Sequence, residues 1–347
     1  MAKLTPAHRG QFVAIRATRN EAAPRVNAAG GSDEVQEWGA RYFEIRVFGA
    51  PFALCNIVLN GFFIGMANAV APMGITVTAA LINVGANYAL IFGHWGAPAM
   101  GIQGAAWAAL VANIVGTALG VAVLGWRYRQ FLHPHLGRLF DIVKLRHLLE
   151  TNLCLLGRTL FLLIAQFVTL SIVSRSGDVP LAAHAILLQI WALVSFGLDG
   201  FAHAAEALVG NHLGAREFEY ARAVARRIMV WGVAIGTVVG VTYLLGMDLI
   251  ARAFTEHEPV LIVIVGLTPL MAAAQPLNSA VFVLDGILIG ANDVLYMVKA
   301  MAVAALLLFL PACFIFVYWL DLGILGAWLS YTSLMVGRFV TLAARYR

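Results

Sequence analysis

Charged residues are scarce in this sequence. Asp, Glu, Lys and Arg together make up 12% of its 347 residues, whereas hydrophobic residues make up 61%. A soluble globular domain has about a quarter of its residues charged and about half apolar. This composition, with a mean hydropathy of +0.84, excludes a soluble domain and indicates a membrane protein with several spans.

Cysteines and catalytic motifs are also scarce. The three cysteines, Cys55, Cys154 and Cys313, each lie in an apolar run, so we expect them to pack as small apolar residues and not to form a disulfide or metal site. The sequence has no phosphate-binding loop, zinc-protease or serine-hydrolase motif. We therefore expect neither an enzyme nor a cofactor. The net charge of +5 lies mainly in short loops between apolar runs, which argues against a nucleic-acid partner.

Long apolar runs dominate the remainder of the chain. A membrane-spanning helix needs about 20 apolar residues, and such runs lie at 42–64, 71–93, 102–125, 152–174, 181–209, 222–246, 259–290, 296–318 and 322–343. Unpaired backbone groups are costly in lipid, and the runs are too long for barrel strands. We predict an all-α polytopic membrane protein with about nine transmembrane helices. Residues 1–40 are polar and basic, and we expect them to be poorly ordered.

The apolar part of the chain contains an internal repeat. VLNGFFIG (58–65) recurs as VLDGILIG (283–290), GIQGAAW (101–107) as GILGAW (323–328), and WRYR (126–129) as ARYR (344–347), at offsets of 225, 222 and 218 residues. Such repeats build many transporter folds. The offset predicts a six-helix unit, so 130–347 forms a complete lobe and 41–129 a three-helix remnant of a lobe whose first three helices are missing.

The distribution of basic residues supports this organisation. The loops at 126–147 and 210–227 and the C-terminus share one side of the predicted membrane and are rich in arginine, whereas the loops on the opposite side have little beyond Arg175 and Arg252. This asymmetry marks the first side as cytoplasmic. The basic segment before the first span then lies outside, against the rule. Three further N-terminal helices would remove the conflict. A natural nine-span protein remains the alternative.

Four segments resemble the multidrug and toxic compound extrusion (MATE) transporters, in particular their DinF-like branch. They are YFEIRVFGAPFALCNIVLNGFFIGMANAVAPM (42–73), LINVGANYALIFG with GIQGAAWAAL, and GDVPLAAHAILLQIWALVSFGLDGFAHAAEALVGNHLGAR (177–216). The resemblance implies two six-helix lobes around a central cavity. It also implies a monomer in a bacterial inner membrane, in contact with lipid, that exports small organic and often cationic compounds in exchange for protons or sodium ions.

The chain departs from the family pattern in two places. The missing helices include the first-helix aspartate that the DinF-like branch is thought to use for the coupling ion. In the helix that begins the second lobe, Asn152 and Arg158 match the family, but Leu153 and Cys154 stand where the resemblance implies an Arg-Asp pair.

Polar side chains inside spans are the candidate binding residues, because a charge at the bilayer centre costs at least about 2.5 kcal/mol. Spacing places Asp199, His203 and Glu206 on one helical stripe, and Asn278, Asp285 and Asn292 on another. Pro269 and Pro276 precede the second stripe, where a kink would free backbone carbonyls. The full set of substrate- or ion-binding candidates is Asp199, Asp285, His203, Arg158, Asn152, Asn60, Glu206 and Asn278.

Each candidate also has a structural alternative. Asp285 either faces a cavity or pairs with Arg158, and His203 is either a hydrogen-bonded interior residue or a proton acceptor. We expect Glu206 to be solvated near the cytoplasmic end and His184 to lie at the membrane interface. Arg158 is the exception among candidates that are otherwise more acidic than basic.

The sequence favours a cation-coupled exporter, and we expect the chain as written not to transport. One alternative is a flippase for lipid or cell-wall precursors, which a basic cavity would favour because such substrates are anionic. The other is a non-transporting remnant.

Overall fold

The computed structural model describes residues 33–66, 68, 70–132 and 142–346. Most of the N-terminal segment expected to be poorly ordered lies outside these ranges. Within them every regular element is helical. The long helices are α1 Asp33–Gly65, α2 Val70–Phe92, α3 Ile102–Arg127, α4 Ile142–Ser174, α5 Asp178–Gly214, α6 Phe218–Arg252, α7 Glu258–Gly290, α8 Val294–Trp319 and α9 Gly323–Tyr346. A 3₁₀ turn, Arg129–Leu132, follows α3.

The prediction of an all-α polytopic membrane protein is confirmed. In the described part of the chain, eight helices, α1 to α8, are long and apolar enough to cross a membrane. The ninth predicted span, 322–343, forms α9, a helix of 24 residues. It does not reach the same apolarity because it carries Arg338 and several hydroxyl side chains.

The chain divides into two compact units between Pro134 and His135. In the first unit, α1 and α2 each pack against α3 and touch each other little. Glycines allow the close approach: a Cβ at Gly104 of α3 would collide with the Leu90 carbonyl of α2, and one at Gly116 would lie 3.1 Å from the Asn56 side chain of α1. Small residues at helix interfaces are typical of membrane proteins.

In the second unit, α7 contacts α5, α6 and α9. Gly236 and Gly240 of α6 allow α6 and α7 to approach closely. Cβ atoms at these two positions would lie 2.8 Å from the Gln275 carbonyl and 2.6 Å from the Ala272 carbonyl of α7, respectively. Pro276 has no N–H for the Ala272 carbonyl four residues earlier. That carbonyl lies against α6, and α7 continues as one helix through both of its internal prolines.

The helix α8 changes its winding around a proline. Two π-helical segments, Ala304–Phe309 and Phe314–Trp319, flank a single α-helical turn, Leu310–Cys313. Pro311 lies in that turn and lacks the N–H that the regular ladder requires, which is a known cause of such irregularity. The span nevertheless continues without a break from Val294 to Trp319.

The cysteines only partly follow the expectation. All three are free; Cys313 is buried and Cys154 half-buried, whereas Cys55 is exposed on α1. Apolar packing is therefore wrong for Cys55 in the described structure.

Candidate functional site

A buried cluster of three charged side chains forms the centre of the second unit. Asp285 on α7 accepts hydrogen bonds from Arg158 on α4 and from Arg338 on α9, and both guanidinium groups use the same carboxylate oxygen, Oδ2. Asp285 is 5% exposed and Arg338 3% exposed. The cluster therefore joins three helices in the interior of the unit. We call these three residues the Arg–Asp–Arg triad.

The triad carries more positive than negative charge. Two guanidinium groups and one carboxylate sum to +1, and arginine keeps its charge in proteins. Neutralising Asp285 would leave two arginines in the interior without their counter-ion, an arrangement that is strongly unfavourable. Asp285 is thus held as a fixed counter-ion. This is the pairing with Arg158 that the sequence offered as an alternative to a cavity role.

Arg338 was missed among the sequence-predicted candidates. It lies inside the ninth predicted span, at 322–343, where its charge alone marks it as a candidate. The prediction that Arg158 is the basic exception among the candidates is therefore wrong, because Arg338 is a second basic side chain in the cluster.

Asp199 on α5 lies beside the triad. Its charge interacts with those of Arg158, Asp285 and His203. No hydrogen bond or ion pair joins its carboxylate to any other described residue, and the residue is half-buried. Asp199 therefore differs from Asp285: it is near the same charges but is not committed to a partner.

The other two members of the α5 stripe are more accessible. His203 Nδ1 lies 3.4 Å from Glu206 Oε2, and the two side chains are 56% and 37% exposed. Glu206 is half-buried, and its solvation near the cytoplasmic end stays a prediction. His203 contacts a hydrogen-bonding partner, Glu206, but its side chain is exposed and not interior. The His203 side chain lies one turn beyond Asp199 on α5 and is more than half exposed.

The second predicted stripe is shorter than expected. Asn278 and Asp285 are both buried on α7, and Asn278 Oδ1 finds no hydrogen-bond partner among the described residues. Asn292, however, lies beyond the end of α7 at Gly290. It adopts a left-handed conformation with φ of 58°, so the helical spacing does not apply to it.

The remaining candidates, Asn152 and Asn60, do not join the cluster. Asn152 is exposed and donates from Nδ2 to the Leu148 carbonyl of its own helix, at 2.9 Å. Asn60 belongs to the first unit, and its Oδ1 is buried without a partner among the described residues. Within the described ranges, no three His, Cys, Asp or Glu side chains come together to form a metal site.

The sequence also matches known proteins. The MatE family model matches residues 24–89 and 155–315, which is more than half of the chain. The chain belongs to the MATE family. It is 31% identical to Protein DETOXIFICATION 43 of Arabidopsis thaliana over 88% of this chain and 56% of that protein. It is 30% identical to DNA damage-inducible protein F of Escherichia coli (strain K12), over 93% of this chain and 69% of that protein.

Solved MATE structures share the fold of this chain. A mutant of the Vibrio cholerae MATE transporter VcmN aligns with a TM-score of 0.78 at 15% identity, over 97% of this chain and 74% of that one. The chain spans about half the length of the plant relatives that it matches. The resemblance stated from the sequence is thus confirmed at the level of family and fold.

Proposed function

We propose that this MATE protein is part of a cation-coupled antiporter that exports small organic compounds, cationic ones among them, across a bacterial inner membrane, and that it acts as a monomer. Family membership and eight apolar helices support membrane transport. Bacterial multidrug-resistance proteins among its relatives support the substrate class. The coupling ion is a proton or a sodium ion, and no other cofactor is needed.

Asp199 is the residue that we assign to the coupling ion. A carboxylate that binds and releases a cation must be reachable and must not be saturated by a permanent partner. Asp199 meets both conditions, since it is half-buried and has no hydrogen-bonding partner among the described residues. Asp285 meets neither condition, because two arginines hold its carboxylate. The uncommitted carboxylate beside the triad is the observation that carries the proposal.

Charge balance explains how the binding of an ion at Asp199 can affect the packing of the helices. With Asp199 ionised, the triad and Asp199 together are neutral. A cation or proton on Asp199 leaves the net +1 of the triad unbalanced, which strengthens repulsion in a region of low dielectric. Helices α4, α5, α7 and α9 all carry one of these charges. Ion binding at one residue therefore changes the forces between four helices.

The test is efflux of ethidium from cells that lack their own major exporters. Two proteins are expressed, the 347-residue chain and a chimera preceded by the three N-terminal helices of the Escherichia coli relative, since the repeat predicts a six-helix first lobe. In the chimera, Asp199→Asn should abolish cation-dependent efflux while the protein level in the membrane stays unchanged. Glu219→Gln, at an exposed helix start with only a weak partner, is the matched control.

Two results would overturn the assignment. Unchanged efflux by Asp199→Asn would remove that residue from coupling. Absence of cation-dependent efflux from both parent proteins would contradict the proposed function itself and favour a non-transporting remnant. A flippase for anionic precursors is not favoured, because both arginines that would attract an anion are committed to Asp285.

A further inference from the structure

A second group of polar side chains lies inside the second unit, away from the triad's carboxylate. It surrounds a small cavity between α4, α5 and α9. The lining residues are Gln166, Thr169, His184, Leu188, Trp328 and Tyr331. Five of these six side chains carry a polar atom, although apolar runs form most of all three helices. A polar lining in such a place requires partners for its hydrogen-bonding groups.

Several of these groups have no partner. His184 is 1% exposed, which corrects the expectation that it lies at the membrane interface. Neither of its ring nitrogens, nor the Nε1 of buried Trp328, finds a hydrogen-bond partner among the described residues. The two rings meet edge to face, with centroids 5.6 Å apart, so they do not hydrogen-bond to each other. Buried polar groups without a hydrogen-bond partner destabilise the folded state unless a bound molecule supplies that partner.

The size and chemistry of the cavity select its occupant. The volume open to the centre of a water molecule is about 10 Å³, close to the minimum that one water requires. Trp328 Nε1 can only donate a hydrogen bond, whereas neutral histidine offers one donor and one acceptor. A metal cation would face the Trp328 N–H and is therefore disfavoured. Water both accepts and donates.

We propose that this cavity binds one water molecule, which accepts a hydrogen bond from Trp328 Nε1–H and donates one to an imidazole nitrogen of His184. Its remaining hydrogen bonds go to the hydroxyls of Thr169 and Tyr331. Thr169 donates to the Ala165 carbonyl at 2.8 Å, so its oxygen is free to accept. The second nitrogen of His184 remains without a partner among the described residues.

The water connects helices that also hold the triad. Tyr331 receives a hydrogen bond from Gln166 Nε2 at 3.4 Å, and Arg338 lies seven residues further along the same helix, α9. The site thus joins α5 to the same faces of α4 and α9 that carry Arg158 and Arg338. It is a structural hydration site that helps to set the rotation of α9.

Magnetisation transfer from water tests the proposal directly. The full 347-residue chain is labelled with ¹⁵N-tryptophan in detergent micelles, and Trp328→Phe identifies the Trp328 indole signal. A bound water should give a cross-peak to this indole with the sign of a long-lived contact. Trp231, which is exposed on the outer face of α6, serves as the control. Absence of transfer to the Trp328 indole in the unaltered chain would overturn the proposal.

A double-mutant cycle tests the bridge between the two rings. His184→Leu and Trp328→Phe should each lower the half-unfolding temperature by about 2–4 °C, because each leaves the water or its other partner unsatisfied. The double variant should lose clearly less than the sum. His184→Gln, which keeps a donor and an acceptor, should recover part of the loss. Strictly additive losses, or a gain in either single variant, would contradict the bridge.

Discussion

The two copies of the repeated motif behave differently. In VLDGILIG, a Cβ at Gly286 would collide with the Ala202 carbonyl of α5, and one at Gly290 would lie 2.6 Å from the Glu206 carbonyl. In VLNGFFIG, the corresponding Gly61 and Gly65 meet no atom within 4 Å. The same residues therefore form a tight helix interface in the second unit and an open face in the described part of the first. What differs is the partner, because no helix in the described first unit corresponds to α5.

A second pair of copies behaves alike. Gly101 and Gly323 both begin a helix in the left-handed region, with φ of 54° and 52°. Three residues later, a Cβ at Gly104 would strike the carbonyl of Leu90, and one at Gly326 would lie 2.6 Å from that of Phe316. Here the partner is the preceding helix, α2 or α8, and each unit contains its own. The two copies of a repeated motif thus form the same contact when the helix that each copy packs against is also present in both units.

The largest contrast is expected at the buried polar position of the repeat. Asp285→Leu leaves two arginines without a counter-ion and should lower the free energy of unfolding by about 3–5 kcal/mol. Asn60→Leu removes a buried amide oxygen that has no partner among the described residues, and it should change the free energy of unfolding by less than about 0.5 kcal/mol. Thermal unfolding of the purified variants provides the comparison. Similar losses at the two positions would show that Asn60 has an essential partner.

The glycine faces should give the next largest contrast. Gly286→Ala forces a methyl group into the backbone of α5 and should cost about 1–3 kcal/mol. Gly61→Ala meets open space and should be neutral or stabilise α1 by up to about 1 kcal/mol, the helix preference of alanine over glycine. The unfolding midpoints of both variants check this. A clear loss of stability in Gly61→Ala would show that another helix packs against that face of α1.

The matching glycines should respond equally. Gly104→Ala and Gly326→Ala each press a methyl group against a carbonyl of the preceding helix, and each should cost about 1–2 kcal/mol. The quantity of interest is the difference between the two losses, which we expect to stay below about 0.5 kcal/mol. Unfolding measured under one condition gives it directly. A large difference would show that the two units tolerate helix displacement unequally.

The smallest effects are expected where the connection between α7 and α8, or between α1 and α2, meets the end of α9 or α3. Asp293 accepts from Arg345 at 2.6 Å in the second unit, and Asn68 donates to the Tyr128 hydroxyl at 2.9 Å in the first. Asp293→Asn and Tyr128→Phe should each cost at most about 1 kcal/mol. Only the Asp293 effect should shrink at high salt. Salt sensitivity at Tyr128 would contradict the neutral character of its hydrogen bond.

The sequence by itself determined the helical, membrane-spanning class, the family and the internal repeat. Long apolar runs have few solutions in lipid, because each span must satisfy its own backbone hydrogen bonds. The presence of Asp285 and Arg158 inside spans was equally readable, since a charge in an apolar run stands out. These properties depend on the chain alone or on its immediate neighbours along one helix.

Only the tertiary structure decided which polar groups meet. The spacing of Asp199, His203 and Glu206 was read correctly as one stripe, but which part of that stripe is covered depends on how α5 is rotated against α7. Arg338 joined Asp285, and His184 became buried, for the same reason: the contacts run between helices distant in sequence. Small residues at those interfaces set the rotation of each helix and the distance between neighbouring helices. The residue pattern along a single helix predicts neither of these quantities.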